Sequence, residues 1–495
     1  MRTRKQSTTG VGGGIIRTES LAVFGTREMG IYAEEVNLSR AVPDLIDGLK
    51  PVQRRIMWAA SLLGKDFVKT ARLVGDIIGR YHPHGDASVA GAITTIVQSN
   101  VPVISGKGNW GSLIDPAAAM RYTNCRLSNY GWSFFDPDYI NKSVSSFVPN
   151  YDDTTVEPVS LPSLMPNVLL NGGDGIGVGT TTMLPTFTPE SVAAVMTRLL
   201  SGEKLVALDF AKTLKYANRY GGKLVKSKEN RAAWMKLFTD STAALQFESH
   251  LEIDRDRKTI TIDDWPKGLN PLKFIAKVRL YPEVDQAYNH AGATGFKIEC
   301  RKDFNYAQFD KLVAKVQKAT QVRRSFKINV THRKSSIVDG VVSFDTKYLA
   351  LSVPQLLIAW LRERVALEKR SLEYRIAKQQ AAIDYSKLLI FASNNLDTIF
   401  KALRAPDSRA YMVKHLKLTS EDADKILELK VRQLSRLDQD AIKLKLKEQT
   451  AFMGQLKTWL AKPKRKIIED TKLILAAIEK DRKFETDKDR SMSVS

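Results

Sequence analysis

The sequence predicts a mixed α and β protein of several domains, and three observations predict it. Its 495 residues exceed what one simple core organises, so about two to four domains are expected. Three short helical patterns followed by turn-rich extended sequence open the chain, and an apolar repeat of coiled-coil spacing dominates its last third. With 43% hydrophobic and 26% charged residues, the composition is that of a globular protein.

Residues 1–27 read as a flexible basic arm with glycines clustered between Gly10 and Gly14. The pattern becomes helical from Glu28. Pro51, with its φ preset for a first helical turn, opens a helix to Leu63. A second helix is predicted over Thr70 to Ile78. A third starts near Asp86, with Val89, Ala92, Ile93 and Ile96 on one face. With the turn-rich stretch Ser105 to Ser112, these helices fit a winged-helix DNA-binding domain over residues 28–150. Its third helix would enter a major groove, where the small residues Ala87 and Gly91 would permit close approach to a duplex.

Proline-rich sequence from Tyr151 to Asn171 reads as an extended connector. Short alternating strands, such as Lys258 to Ile262 and Gly295 to Cys300, mix with helices up to residue 345 and predict a separate α/β domain over 151–345. No nucleotide-binding glycine fingerprint occurs in it. In residues 346–495, Val365, Leu372, Ile376, Ile383 and Ile390 form a heptad-like seam. Ile442, Leu446 and Met453 continue it within a helical stretch from Thr419 to about Leu460. An antiparallel coiled coil carrying a compact helical head is expected.

The formal net charge is +22. Such a surplus favours a polyanionic partner through counterion release, or else marks a merely basic or ribosome-associated surface. Cys125 and Cys300 stand apart from any metal-ligand spacing, which suggests a reduced intracellular protein without structural zinc. No apolar run is long enough for a bilayer and no signal-peptide core is present, so no membrane role and a cytoplasmic location are expected.

The residues that could carry chemistry begin with Arg121-Tyr122. A phenol with a pKa near 10 is ionised in only about one molecule in a thousand at neutral pH. As a nucleophile it therefore needs a base, a cationic environment, or both. Arg121 adjoins it, and His82 and His84 occupy a glycine-bounded turn. Histidine can accept the phenol proton, and histidine or arginine can stabilise charge on phosphate oxygens. Arg40, Lys50, Arg54 and Arg55 bracket the first of the three helices as candidate phosphate clamps. Asp136-Pro137-Asp138 is the nearest acidic pair, but it reads as a solvated turn. A metal or nucleotide, if required, would come from another chain. Ile176, among the glycines of Asn171 to Gly179, is either part of a buried turn or an apolar wedge for base steps.

Six ordered motifs together resemble the A-type, cleavage and rejoining subunit of type IIA DNA topoisomerases. They are Ser39 to Pro51, Gly79 to Asp86, Gly106 to Ser112, Ala118 to Thr123, Pro166 to Ile176, and Ile426 to Leu437. The resemblance spans about residues 28 to 485. It implies that Tyr122 forms a 5′-phosphotyrosyl bond, with Arg121 stabilising the pentavalent phosphate. His84 with His82 would assist proton transfer, and Arg40 would sit on the scissile phosphate. Lys50, Arg54 and Arg55 would hold the DNA backbone and Ile176 would intercalate.

The resemblance also implies a tower domain over 151–345 and a dimerisation gate at the coiled coil in 346–495. A B-type partner subunit would dock on the N-terminal helix before Arg40 and supply Mg²⁺ and ATP hydrolysis, giving an A₂B₂ assembly on double-stranded DNA. The gyrase wrapping repeats are not found, so relaxation or decatenation is expected over supercoiling, and a nucleoid or phage-infected host cytoplasm as location. Gln53, Lys107 and Asn124 depart from the family's usual histidine, glutamine and acidic residue. Ala87 and Gly91 replace its usual quinolone anchors, so weak quinolone sensitivity is expected. Two other readings stand beside this one: a catalytically silent architectural DNA-binding dimer, and a tyrosine recombinase joining a 3′ phosphate.

Overall fold

The computed structural model describes residues 20–289, 295–338, 341–428 and 439–492. Its chain is mixed α and β, dominated at its C-terminal end by long helices. Helix α1 (Leu21–Val36) is capped by the Ser20 side chain, so the arm expected over 1–27 gives way to helix at Leu21. A short π-helical turn, Asn37–Ala41, follows. Three helices then pack together: α2 (Pro51–Leu62), α3 (Thr70–Arg80) and α4 (Asp86–Val97). Pro51 opens α2, and Val89, Ile93 and Ile96 of α4 are buried, as the apolar spacing requires. Strands β1 (Val68–Lys69), β2 (Ile104–Lys107) and β3 (Asn124–Leu127) form an antiparallel sheet with β3 in the centre.

The expected extended connector from Tyr151 to Asn171 is instead largely core. Leu161, Met165, Val168, Leu169 and Leu170 are fully buried, and Asn167–Asn171 is a short helix. The prolines shape a path that these buried apolar side chains then anchor. One hydrophobic cluster runs from Leu45 through this segment into Ile467, Ile474 and Ile478 near the C-terminus. A five-stranded sheet, beginning with the hairpin Asp174–Ile176 and Thr181–Met183, packs on the same cluster. A four-stranded sheet containing Thr259–Ile262 and Phe296–Cys300 has its own core around Trp265 and Phe309.

Val353–Asn394 is a single 42-residue helix. It pairs with Gln439–Ala461: Arg375 lies over Phe452 and Trp459, while Ser386, further along, donates to the Gln449 side chain at 2.8 Å. Contacts that ascend one helix and descend the other make the pair antiparallel. Leu372, Ile383 and Met453 of the expected seam are buried. The second helical stretch does not start at Thr419 as one arm: Ser420–Leu427 packs with Leu396–Leu403 and Ser408–Leu416 around Met412 and Ile426. Residues 429–438, with the end of the sixth motif, lie outside the described residues.

Pro463 opens a further helix, Pro463–Met492, whose return to the N-terminal helices the heptad pattern does not reveal. There the Asp481 carboxylate accepts from the backbone N–H groups of Asn129 (3.0 Å) and Tyr130 (2.8 Å), capping another helix from outside.

Candidate active site

The candidate residues fall into two groups at opposite ends of α3. Tyr122 leads into β3. The next residue, Thr123, is buried and donates from its hydroxyl to that of Thr70 (2.8 Å), the first residue of α3. The Tyr122 side chain itself is 64% exposed, with the Arg121 guanidinium 4.8 Å from the centre of its ring. The loop before it is built tightly. Gly111 takes a positive φ of 78°, and a side chain there would stand 2.7 Å from the Ala117 backbone nitrogen. Lys107 pairs with Asn124 across the sheet, so two of the three departures from the family motif lie at the strand that Tyr122 leads into. Among the described residues, the Tyr122 hydroxyl has no hydrogen-bond partner. It is presented to solvent with a cation over its ring and no base.

His82 and His84 follow the other end of α3. An 11-residue helix is about 16 Å long, so they do not reach Tyr122 within one chain. Their rings stack, with centroids 3.9 Å apart and planes at 11°. Nη1 of Arg55, on α2, donates to Nδ1 of His82 at 3.1 Å. The same guanidinium is gripped by Glu157, Nε to Oε2 and Nη2 to Oε1, both at 2.8 Å. Burial, His84 and Arg55 together depress the His82 pKa to about 4, so this ring is neutral at physiological pH. Sequence reasoning missed Glu157, an isolated acid on the short strand Val156–Pro158 that no motif marks.

Arg54 departs from its expected role. It is buried, and its Nε and Nη2 donate to the two carboxylate oxygens of fully buried Asp47 at 2.6 and 3.2 Å. Asp47 also accepts from the backbone N–H groups of Leu49 and Leu161, each at 2.9 Å. A guanidinium committed in this way braces α2 against the Leu161 segment and cannot reach a duplex. Nearby Asp44 is buried too; desolvation and the charge of Asp47 push its pKa up to about 7.

Arg40 is exposed, and Lys50 at the start of α2 donates from Nζ to the Asp174 carbonyl at 2.7 Å. Burial lowers the Lys50 pKa from its ordinary value and Arg40 lowers it further, while Asp174 opposes both. Asp174 begins the hairpin that carries Ile176. Its carboxylate pairs with Lys267 at 2.6 Å and lies 3.7 Å from Arg324. At the far end of the hairpin, Asn37 accepts from Val178 N–H at 3.0 Å and donates to its carbonyl at 3.1 Å. A side chain on Gly177 would fall 1.8 Å from Asn37 Oδ1, which is why glycine stands there. Between these clamps Ile176 is 88% exposed, so the alternative of a buried turn does not hold. On α4, Ala87 and Gly91 are exposed, and nothing lies within 4 Å of a side chain built on Gly91.

The Asp136-Pro137-Asp138 turn is structural: Asp138 pairs with Arg375 of the long helix at 3.1 Å. Among the described residues no group of three or more His, Cys, Asp or Glu side chains could hold a metal ion. No helix among the described residues is long and apolar enough to cross a membrane.

Residues 40–472 match the family model that describes the A subunit of DNA gyrase/topoisomerase IV. The chain is 30% identical to the A subunit of DNA topoisomerase 4 from Escherichia coli (strain K12) over 452 residues, covering 87% of this chain and 57% of that protein. It is 30% identical to the A subunit of DNA gyrase from Streptococcus pneumoniae serotype 4 over 465 residues, covering 89% of this chain and 54% of that protein. The corresponding DNA topoisomerase 4 protein of Pseudomonas aeruginosa is 29% identical, with 90% of this chain and 59% of that protein covered. The chain thus spans a little over half the length of these relatives. A match that takes in the histidine turn, the Arg121-Tyr122 pair and the Ile176 hairpin within one alignment places the chain in the family of DNA gyrase and topoisomerase IV A subunits.

Proposed function

We propose that this chain cuts and rejoins duplex DNA as the A-type component of a type IIA topoisomerase. The observation that carries the reading is the exposed Arg121-Tyr122 pair, with the guanidinium lying over the phenol ring. In this reading α2, α3, α4 and the three-stranded sheet are a winged-helix domain within 28–150. Residues 151–345 are the tower, and 346–495 carry the coiled coil and dimerisation gate.

The Tyr122 phenol gives up its proton as its oxygen attacks a backbone phosphorus, the P–O3′ bond breaks, and the departing 3′ oxygen takes up a proton. Rejoining reverses these steps, so the bond energy is retained in the 5′-phosphotyrosyl link and cleavage itself needs no ATP. Arg121 offsets charge developing on the phosphate. The separation of about 16 Å along α3 means that one chain cannot bring Tyr122 and the histidines to one phosphate. Two chains can, if Tyr122 of one copy faces Arg40, His82 and His84 of the other. The homodimer then completes each site rather than merely duplicating it. Lys50 and Arg55 flank the second group, and Ile176 enters the base stack to bend the duplex.

A B-type subunit would dock on the N-terminal helix, where Leu21, Val23, Met29, Ile31 and Tyr32 are exposed, and complete an A₂B₂ assembly. In the proposal it brings Mg²⁺, which stabilises the leaving oxygen when bound, and ATP hydrolysis, which drives strand passage. No carboxylate set among the described residues of this chain fits the metal, so no step here passes through it.

The test is to incubate the chain with a candidate B subunit, Mg²⁺ and end-labelled plasmid, and to trap with denaturant. A 5′-linked adduct lost in Tyr122→Phe is expected. No adduct with any B subunit would favour the architectural dimer, and a 3′ linkage would favour a recombinase.

A further inference from the structure

We propose that Glu157 is a positioning residue for the phosphate-facing histidines, acting through Arg55. This inference rests on the functional reading above, but its primary test does not require DNA cleavage. Glu157 receives Arg55 through Nε and Nη2, which fixes the guanidinium plane and leaves Nη1 aimed at His82 Nδ1. Arginine has donors and no acceptor, so His82 Nδ1 must accept. The proton of the neutral ring is therefore on Nε2, and the tautomer follows from geometry rather than from assignment of a hydrogen.

The consequence reaches His84. The two rings stack nearly parallel, so fixing the plane of His82 fixes the plane against which His84 rests. His82 then serves as an Nε2–H donor to a phosphate oxygen and not as a base. Glu157 is held firmly enough for this task. Val148 is its partner across an antiparallel pair, and the neighbouring Val156 carbonyl accepts from the Trp58 indole at 3.2 Å, tying the strand to α2. The charged and titratable groups facing His82 are Arg55 from α2, His84 from its own turn and, across Arg55, Glu157. Three of the five N–H donors of Arg55 are spent on this relay, leaving two for a phosphate. Only with its carboxylate partner in place does Arg55 point both ways at once.

The experiment is nitrogen-detected imidazole NMR on the full chain labelled at its six histidines. It compares the parent with Glu157→Gln and with Arg55→Lys, which keeps a charge but loses the rigid fork. In the parent, His82 should show the pure Nε2–H tautomer pattern down to about pH 5, given its depressed pKa. In both variants the pattern should become a tautomer mixture. If both variants fold and the His82 signals stay as in the parent, the proposal is wrong. If only one variant folds, that variant decides by the same criterion. In the cleavage assay, Glu157→Gln should slow adduct formation about ten- to a hundredfold with DNA affinity unchanged, as loss of an orienting partner does. Failure of the parent to form any adduct would sink the functional reading and leave the NMR result to judge Glu157 alone.

Discussion

Replacing Arg54 by methionine should damage the fold and leave the DNA interaction's salt dependence intact. Asp47 is fully buried and loses two charge-assisted hydrogen bonds in this variant. Removing one partner of a buried ion pair costs about 3–5 kcal/mol, because the remaining charge is stranded. Here Asp47 keeps the N–H groups of Leu49 and Leu161, which places the expected cost near the lower bound, about 3 kcal/mol. At about 1.4 kcal/mol per factor of ten, local opening should become roughly a hundredfold more frequent. Hydrogen exchange read by mass spectrometry should register this in peptides covering α2 and Leu161, while the antiparallel helix pair stays protected. In parallel, each lost phosphate contact lowers the slope of log affinity against log salt by about 0.9. Arg54→Met should leave that slope unchanged, whereas Arg40→Met should reduce it by about one. Unaltered exchange together with a reduced slope for Arg54→Met would refute the assignment and return Arg54 to the DNA surface.

Three other outcomes follow from the geometry. Ile176→Ala should change stability by less than about 0.5 kcal/mol because the side chain is 88% exposed, yet it should abolish most protein-induced bending of a dye-labelled duplex; undiminished bending would remove the wedge. Asp44 has a folded pKa near 7 against 3.8 unfolded, so the folded state binds the extra proton and stability falls as pH rises from about 4 to 7. Asp44→Asn should remove that decline and stabilise the protein at pH 8 by about 2–4 kcal/mol, read from urea unfolding at both pH values; an unchanged pH profile would contradict it. Mixing Tyr122→Phe chains with His84→Ala chains should restore single-strand nicking if sites are completed between copies, since each mixed dimer then holds one intact site. If every site lies within one chain, the mixture should stay inactive.

Much of the N-terminal unit was legible in the sequence because its signals are local. Pro51 marks a first turn, and the spacing of Val89, Ile93 and Ile96 marks one face of α4; both are set by a single helix. The seam residues Leu372, Ile383 and Met453 likewise follow from a repeat that needs no knowledge of the partner helix. Long-range polar closure was not legible. Asp481 reaches Asn129 and Tyr130 across more than three hundred residues. Arg364, an unremarked cation in a helical run, is buried against Glu368 at 2.7 Å and Asp470 at 3.4 Å, with the Tyr139 hydroxyl donating to the same Glu368 carboxylate at 2.7 Å. Burial raises the Tyr139 pKa, so its hydroxyl is a donor in that network and not a second candidate nucleophile. Partners so far apart in sequence leave no periodic trace.

The adjacent pair Arg54-Arg55 shows why charge counting alone misassigns a surface. Successive residues of a helix are rotated by about 100°, so two neighbouring arginines cannot serve one phosphate from one direction. Arg54 turns inward to Asp47 and Arg55 turns sideways to Glu157 and His82. The same selection recurs at the wedge, where Asp174 holds Lys267 and lies near Arg324. The count of 76 lysines and arginines therefore overstates the cations free to meet a polyanion, because some are held by buried or bridging carboxylates that set the angle of their neighbours. Arg40 and Arg121 are both exposed, and in the proposed function each meets a phosphate. In the proposed function, it is the length of α3 between Tyr122 and the histidine turn that brings a second copy of the chain into the chemistry.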